Sequence, residues 1–252
     1  MSETARHAVT RVRRETRRRV GTVSSVERLS PSMLRIWFEG ADFHDFESAA
    51  PDDHVKLFFV GAGGETAMRD YTPRLFDTAA GRLAIDFALH EAGPATRWAL
   101  DAKPGDTLQI GGPRGSAVLA DDFDWYMLVG DETALPAIGR RLEELRADVP
   151  VTVVAIVDGP ADRVAFAERA GLDTIWVERD GKAGEDAALL NDALSALTLP
   201  AGEGYVWIAA ESQVARAVRA HVIDTLGHPR GWTKAAGYWS AGEAGAHQRI
   251  ED

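Results

Sequence analysis

The feature that most constrains the fold is a change in hydrophobic pattern near residue 122. Before that point the apolar residues come in short or alternating runs, which Gly, Pro and Asp separate at short intervals. The clearest runs are RIWFEG (35–40), VKLFFVG (55–61), GRLAIDFALH (81–90) and DTLQIGG (106–112). Short strands with turns between them predict an antiparallel barrel or sandwich.

Beyond residue 122 the pattern becomes that of buried strands alternating with helices. Helical spacing covers residues 134–149 and 212–226. Continuous apolar runs occupy 125–131, 151–158, 173–179 and 205–211. Such alternation predicts a parallel sheet. We therefore expect a β + α/β fold with two domains, an antiparallel β domain over 1–122 and a parallel-sheet α/β domain over 123–252.

Composition excludes several kinds of protein and site. The 252 residues contain no cysteine, so disulfides, thiolate metal sites and iron–sulfur clusters are ruled out. A formal net charge of −11 argues against a nucleic-acid partner, which needs a basic face. No apolar run approaches the length of a membrane span, and the N-terminus has no apolar signal core. We expect a cytoplasmic monomer.

Positive charge is concentrated at the N-terminus of this acidic chain, where seven arginines lie between residues 6 and 19. We expect an extended segment whose arginines pair with acidic side chains of the body. The alternative is a positive patch beside the mouth of a ligand site.

One candidate ligand site lies in the α/β half, where the first apolar run ends in GDETALPA (130–137). Ligands of open parallel sheets bind beyond the carboxyl ends of strands, and the following helix would offer free N–H groups. The sequence has neither GxGxxG nor a P-loop motif. On its own, the loop therefore favours an ordinary capped junction between a strand and a helix.

A second candidate is the stretch MRDYTPR (68–74). Arg69 and Arg74 can each bind phosphate through two hydrogen bonds, while Tyr71 and Thr72 offer a flat ring and hydroxyl groups. A phosphorylated, flat, heteroaromatic ligand would suit this set. The alternative is the end of a strand with surface ion pairs to nearby aspartates.

The segment DFALHEAGPATRW (86–98) favours the ligand. A strand ends near His90, and Gly93-Pro94 then leads into a predicted short helix whose first N–H groups would hold phosphate. Together with Arg69, this turn would grip a pyrophosphate. His90 has no second histidine at ligand spacing, so no metal site is predicted.

At this point the sequence resembles a known family. Arg69-x-Tyr71-Thr72 matches the Arg-x-Tyr-Ser/Thr flavin motif of the ferredoxin–NADP reductase-like superfamily. More narrowly, the chain is similar to the siderophore-interacting proteins, which are FAD-dependent ferric-siderophore reductases. The matching stretches occur in order over nearly the whole chain: HAVTRVRRETRRR, DDHVKLFF, RDYTPR, DFALHEAGPATRWA, GDETALPAI, WIAAES and GYW.

The resemblance implies a β-barrel that binds FAD and an α/β domain that binds NADPH or NADH. FAD would contact Arg69, Asp70, Tyr71, Thr72, Asp86, Phe87, His90, Gly93, Pro94, Ala95, Thr96 and Trp98. The nicotinamide dinucleotide would contact Gly130, Asp131, Thr133, Ala134, Pro136 and Glu211. An anionic ferric siderophore would dock on Lys56, Arg114 and Arg249. Thr72, near the hydride-accepting nitrogen, is assigned to catalysis with Lys56 and Arg114.

The implied function is transfer of electrons from NAD(P)H through FAD to Fe(III) in a siderophore. One alternative is a flavin reductase of the same architecture that acts on quinones, free ferric chelates or a protein electron carrier. Another is a non-enzymatic ferric-siderophore carrier. The sequence departs from the family pattern at two positions. Ala210 stands before Glu211 where the family often has Gly, and Ser240 stands after Gly-Tyr-Trp where a basic residue is usual. Arg163 or Arg179 is a candidate for contact with a 2′-phosphate, and the alternative for each is a solvated surface charge.

Overall fold

A computed structural model of the chain describes residues 6–61, 63–89, 93–182, 184–242 and 248–250. By contacts the chain divides into two units. The first holds residues up to 120 together with 139–141, and the second holds 121–138 and the residues from 142 onward.

The first unit is built almost wholly of antiparallel strands. Alternating burial shapes them: in VKLFFV, for example, Val55, Leu57 and Phe59 point into the core. Its elements are β1 (Val9–Arg13), β2 (Arg18–Ser30), β3 (Met33–Glu39), β4 (Val55–Val60), β5 (Thr66–Tyr71), β6 (Pro73–Asp77), β7 (Arg82–Ala88), α1 (Pro94–Asp101), β8 (Thr107–Gly111) and β9 (Gly115–Leu119), with a 3-10 turn at Ala41–Phe43.

Seven strands form one sheet in the order β5-β4-β8-β2-β3-β7-β6, and β1 pairs separately with β9. The two edge strands, β5 and β6, follow each other in the chain and are separated only by Thr72. The sheet must therefore curl until its edges meet at this residue. In the described part of the chain β5 pairs only with β4, and β6 only with β7. We call this junction, centred on Thr72, the seam.

The predicted antiparallel β half is confirmed as this curled sheet. Four predicted strands correspond to β3, β4, β7 and β8. The longest strand, β2, was not predicted, because its apolar residues are thinly spread among polar ones. The predicted short helix after Gly93-Pro94 is α1.

The second unit confirms the predicted parallel sheet. Its order is β12-β11-β10-β13-β14-β15, and all pairs are parallel except β14 with β15. Its elements are β10 (Trp125–Gly130), α2 (Leu135–Glu144), β11 (Val151–Val157), β12 (Leu172–Glu178), α3 (Asp186–Ser195), β13 (Gly204–Glu211), α4 (Ser212–Ala220), β14 (Thr233–Trp239) and β15 (Gln248–Ile250), with a π-helical turn at His221–Thr225 and 3-10 turns at Pro160–Asp162 and Arg230–Trp232.

The connection from β11 to β12 contains no α-helix, although alternation of strands and helices predicts one. After the 3-10 turn the chain runs irregularly through 163–169. It is fixed there by Phe166, which stacks on Trp176 of β12 with 5.7 Å between ring centroids, and by Arg169, which donates to the carbonyls of Leu142 and Val149. Side-chain packing thus replaces the crossover helix.

The N-terminal arginines lie in the extended segment that was expected. Arg14 pairs with Glu47, and Arg17 pairs with Asp45. Arg19 is buried and donates to Asp45 and to the carbonyl of Gly112. The predicted pairing with acidic side chains is therefore confirmed for these three arginines.

No helix among the described residues combines the length and the hydropathy needed to cross a lipid bilayer.

Candidate active site

The seam presents different side chains on its two faces. The register pairs Tyr71 with Val55 and Arg69 with Leu57, and both partners are fully buried, so Arg69 and Tyr71 lie on the core-facing side of β5. Asp70 pairs with Lys56 on the opposite side. Thr72, which connects the two edges, is only 7% exposed.

Arg69 is a cation without an acidic partner. Its Nη1 donates to the carbonyl oxygen of Met68 at 2.8 Å, and within the described residues no carboxylate forms an ion pair with it. Arg74 differs, because it is 8% exposed and its Nε lies 3.9 Å from Asp86 Oδ2. The seam therefore has one arginine available for an anionic ligand and one already held by the fold.

Tyr71 is held as a flat, neutral surface. Its ring packs on Phe87 of β7 at a centroid distance of 4.6 Å. Burial raises the pKa of the Tyr71 hydroxyl, and the positive charge of Arg69 offsets this only in part. The hydroxyl therefore stays protonated and can donate a hydrogen bond.

The start of helix α1 has backbone donors that no described residue accepts from. Gly93 is its N-cap, Pro94 has no N–H, and Arg97 N donates to the carbonyl oxygen of Gly93 at 3.0 Å. The N–H groups of Ala95 and Thr96 therefore lie where they can donate hydrogen bonds to a phosphate. His90 lies outside the described residues.

A row of aromatic rings brings the two predicted FAD segments together. Phe87 contacts Tyr71 on one side and Trp98 of α1 on the other, with 6.0 Å between the centroids of Phe87 and Trp98. Trp98 also stacks on Phe38 at 6.1 Å. Phe87 is fully buried, so it supports the site from behind.

Asp86 likewise lies behind the surface. Its carboxylate is 5% exposed and accepts two hydrogen bonds from Arg35, at 2.7 and 2.8 Å, with Arg74 nearby. Both oxygens are occupied by the fold. The contact of Asp86 with FAD stays a prediction. In the structure Asp86 holds Arg35 and Arg74 in place.

The cations predicted to dock the siderophore differ in whether an acidic side chain already pairs with them. Lys56 Nζ lies 2.8 and 3.1 Å from the carboxylate oxygens of Asp70, so its charge is neutralised locally. Arg114 is exposed in the connection before β9, and no side-chain partner is found for it in the described ranges. Arg249 belongs to β15, but its side chain lies outside the described residues.

In the second unit, Asp131 cross-links the carboxyl ends of three parallel strands. It is 1% exposed, follows β10, and accepts through Oδ2 from Glu211 N of β13 and from Trp239 Nε1 of β14, both at 2.9 Å. Its Oδ1 accepts from the backbone and hydroxyl groups of Thr133. This carboxylate therefore shapes the edge of the sheet and fixes the Trp239 ring.

Glu211 and Gly130 also have structural roles at this edge of the sheet. Glu211 caps α4 by accepting from Gln213 N and Val214 N at 2.6 and 3.1 Å. A Cβ on Gly130 would lie 2.4 Å from Ala134 Cβ and 2.6 Å from Ala209 O. The glycine is therefore required by packing. Contacts of these residues with a nicotinamide stay predictions.

Trp239 and Ser212 lie in two of the stretches that resemble the family, GYW and WIAAES, but neither was assigned a role from the sequence. Ser212 Oγ donates to the carbonyl of Trp239 at 2.9 Å, and a Cβ on Gly237 would lie 2.3 Å from that hydroxyl. Gly237, two residues before Trp239, was the available signal, since a glycine inside a strand marks a close approach.

The two arginines proposed for a 2′-phosphate are both paired. Arg163 forms an ion pair with Glu178. Arg179 contacts Glu132, Asp158 and Asp186. Burial lowers the pKa of Arg179, but the hydrogen bonds that Arg179 donates to Glu132 and Asp186 raise this pKa overall, so the arginine stays charged within the network.

Among the described residues, no group of three or more His, Cys, Asp or Glu side chains has the arrangement of a metal site.

Comparison with known proteins assigns a family description to each half of the chain. The model of the siderophore-interacting FAD-binding domain matches residues 22–67 and 61–117. The model of the siderophore-interacting protein matches residues 123–242. The two matches thus fall in the β half and the α/β half respectively.

Individual relatives agree with these matches. The NADPH-dependent ferric-chelate reductase of Escherichia coli (strain K12) is 33% identical, over 92% of this chain and 96% of the relative. A siderophore utilization protein from T. fusca has a crystal structure with a TM-score of 0.88 and 34% identity, over 95% of this chain and 98% of that one. The siderophore-interacting protein from Aeromonas hydrophila has a TM-score of 0.78 and 30% identity, over 90% and 93% of the two chains.

Proposed function

Because the chain belongs to the siderophore-interacting protein family, we propose that it is an FAD-dependent oxidoreductase that passes electrons from NAD(P)H to Fe(III) held by a siderophore. The observation that carries the proposal is the seam, where Arg69, which pairs with no carboxylate of the described residues, lies beside the neutral ring of Tyr71. We assign FAD binding to residues 1–122 and binding of the nicotinamide dinucleotide to residues 123–252.

The residues at the seam fit FAD. Arg69 and the free N–H groups of Ala95 and Thr96 offer charge-assisted and backbone donors for a pyrophosphate. Tyr71, backed by Phe87, offers a rigid face for a planar ring. The outer edges of β5 and β6 beside Thr72 leave backbone groups for the rim of that ring.

When bound, FAD accepts a hydride and gives up electrons singly, which is the chemistry that a two-electron donor and a one-electron acceptor require. The protein places the reactants. The buried Thr72 side chain would shield the ring from water at the seam, and the protonated Tyr71 hydroxyl could donate a hydrogen bond to it. The exposed Arg114 would attract an anionic ferric complex. The two electrons of one hydride suffice to reduce two Fe(III) ions, and the proton is released to solvent.

Reduced iron leaves because Fe(II) binds the hard oxygen ligands of a siderophore less well than Fe(III) does. No nucleophile or general acid of the protein is needed for this sequence of transfers. We further place the protein in the cytoplasm, where nicotinamide donors are present, as a monomer, and size-exclusion chromatography at several concentrations checks the oligomeric state.

An anaerobic assay tests the proposal. Purified protein is reconstituted with FAD, mixed with NADH or NADPH, and then given a ferric siderophore with a colorimetric Fe(II) chelator. We expect the flavin absorbance to fall with the donor and to return as Fe(II) appears. A protein that takes up no FAD, or whose flavin neither donor bleaches, would reject the enzymatic function and favour a ferric-siderophore carrier.

A second candidate is reduction of free ferric chelates by the same flavin. The ion pair of Lys56 with Asp70 favours it, because that pair leaves less positive charge to recognise an anionic siderophore. The relative from Escherichia coli, described as a ferric-chelate reductase, agrees with it. The ratio of kcat/KM for a ferric siderophore and for ferric citrate distinguishes the two candidates.

A further inference from the structure

We infer that the carboxyl edge of β11 and β12 discriminates against a 2′-phosphate, so that NADH reduces the flavin more efficiently than NADPH. This inference rests on the proposed function, since it concerns the donor of the same reaction. Asp158 is the residue that determines this specificity.

Asp158 lies where a parallel α/β sheet recognises an adenosine ribose. It directly follows β11, and β11 pairs in parallel with β10, so Asp158 shares an edge with the loop after Gly130. In doubly wound sheets, an acidic residue beyond the second strand accepts a hydrogen bond from the ribose 2′-hydroxyl of NAD. The Asp158 side chain is 72% exposed and can accept such a bond.

The nearest arginine, Arg179, already uses all of its N–H groups in hydrogen bonds to carboxylates. Arg179 Nε donates to Asp186 at 2.9 Å, and its Nη1 donates to Glu132 and, at 2.8 Å, to Asp158. Its Nη2 donates to Glu132 and Asp186 at 3.0 and 2.9 Å. A guanidinium has five N–H donors, and these contacts use all of them. A 2′-phosphate would have to displace a carboxylate to reach Arg179.

The surroundings are also negatively charged. Arg163 is paired with Glu178, and Lys182 is the other cation on the described part of this edge. Carboxylates outnumber the cations there: Glu132, Asp158, Asp162, Glu178, Asp180, Glu185 and Asp186. Bringing a phosphate dianion among them places like charges together, which lowers affinity.

Binding is tested without turnover. Calorimetric titration of the FAD-loaded protein compares ADP-ribose with its 2′-phosphorylated form. We expect ADP-ribose to bind roughly tenfold tighter or more, and the ratio to fall as salt is raised. Steady-state kcat/KM for NADH and NADPH should show the same order.

The variant Asp158→Asn removes the charge while Arg179 keeps Glu132 and Asp186 as partners. We expect this variant to bind the 2′-phosphorylated ligand more tightly, so that the ratio between the affinities for ADP-ribose and for its 2′-phosphorylated form falls severalfold. The control is Asp173→Asn, which removes an exposed carboxylate near the opposite end of β12 and should leave the ratio unchanged.

Equal or tighter binding of the 2′-phosphorylated ligand by the wild-type protein would overturn the inference while leaving the proposed function intact. Absence of binding by both ligands would overturn it as well. Failure of both NADH and NADPH to bleach the flavin, with the binding preference present, would instead reject the proposed function.

Discussion

The chemical role of each charged residue depends on which partner it already has. Arg69 and Arg74 lie five positions apart in the same motif, yet Arg74 is beside the buried Asp86 and Arg69 has no acid within the described residues. Desolvated ion pairs hold the fold and are poor ligand sites, whereas a cation with a single backbone contact is available. The site is therefore defined by unpaired charge as much as by residue type.

Replacing Arg69 by alanine tests its assignment to the FAD pyrophosphate. We expect FAD affinity to fall by roughly ten- to a hundredfold, as for loss of a charge-assisted hydrogen bond, with little change in the free energy of unfolding. Fluorescence titration of FAD into the apoprotein measures it. Arg28→Ala, which removes another exposed arginine that contacts only a carbonyl oxygen at 2.9 Å, is the control. An unchanged dissociation constant would remove Arg69 from the FAD site.

The pair of Lys56 with Asp70 gives a second test at this scale. Asp70→Asn leaves Lys56 Nζ without its counter-charge, so kcat/KM for an anionic ferric siderophore should rise a few-fold and become more sensitive to salt. Stability should change by less than about 1 kcal/mol, because the Lys56 end of the pair is exposed to solvent. Stopped-flow reoxidation of the flavin measures the rate, and a neutral ferric chelate is the control. A decrease would place Asp70 itself in the site, as the resemblance implies.

Sequence was informative about the type of each site residue and the segment that carries it. It was less informative about pairing. The motif containing Arg69, Tyr71 and Thr72 could be recognised locally, but Arg35 reaches Asp86 from a strand more than fifty positions earlier in the chain. Such cross-strand partners depend on register, which a single sequence does not specify well where polar strands such as β2 intervene.

At the scale of elements, close packing explains the composition of the edge around Gly130. The strand end, the start of α2 and β13 approach so closely that no side chain fits at this position. The sequence predicted the strand, the loop and the helix there, but it could not distinguish a glycine needed by a ligand from one needed by a neighbouring strand.

Gly130→Ala should therefore destabilise the second unit by about 1–3 kcal/mol, as overpacking usually does. Gly231→Ala is the matched control, because a Cβ there meets no atom within 4 Å. Urea unfolding followed by far-ultraviolet circular dichroism gives the two free energies. Equal stability of the two variants would contradict the packing account.

The missing crossover helix shows where patterns of elements stop being predictive. The segment 163–169 contains residues that a helix would tolerate, but Phe166 instead stacks on Trp176, and Arg169 donates to carbonyl oxygens in the last turn of α2 and just after it. A tertiary contact of this kind overrides local propensity. The strands on either side were still predicted, because their continuous apolar runs are strong signals.

At the scale of the whole molecule, stability should depend on pH through the buried His228. Its ring lies 5.5 Å from that of Trp125, and its Nε2 has no partner in the described structure. Burial lowers the pKa of His228 in the folded protein. The unfolded chain therefore takes up this proton first, and the free energy of unfolding should fall as pH drops below about 6.5.

His228→Gln removes that titration. We expect the variant to lose less stability between pH 7.5 and 5.5 than the wild-type protein does, as measured by urea unfolding at each pH. Because other groups also titrate in this range, the comparison uses His7→Gln, a substitution near the N-terminus, as the control. Identical slopes for the wild-type protein and His228→Gln would show that His228 carries no part of the pH dependence.

The single residue between β5 and β6 has a consequence for the order in which the β unit becomes rigid. Neighbours in the chain lie at opposite margins of the sheet, and within the described structure no ladder of hydrogen bonds closes the gap between them. A ligand bound across Thr72 would contact both edge strands, β5 and β6, and hold them together. Hydrogen–deuterium exchange should therefore slow at residues 69–75 when FAD binds, while the central strand β2 changes little.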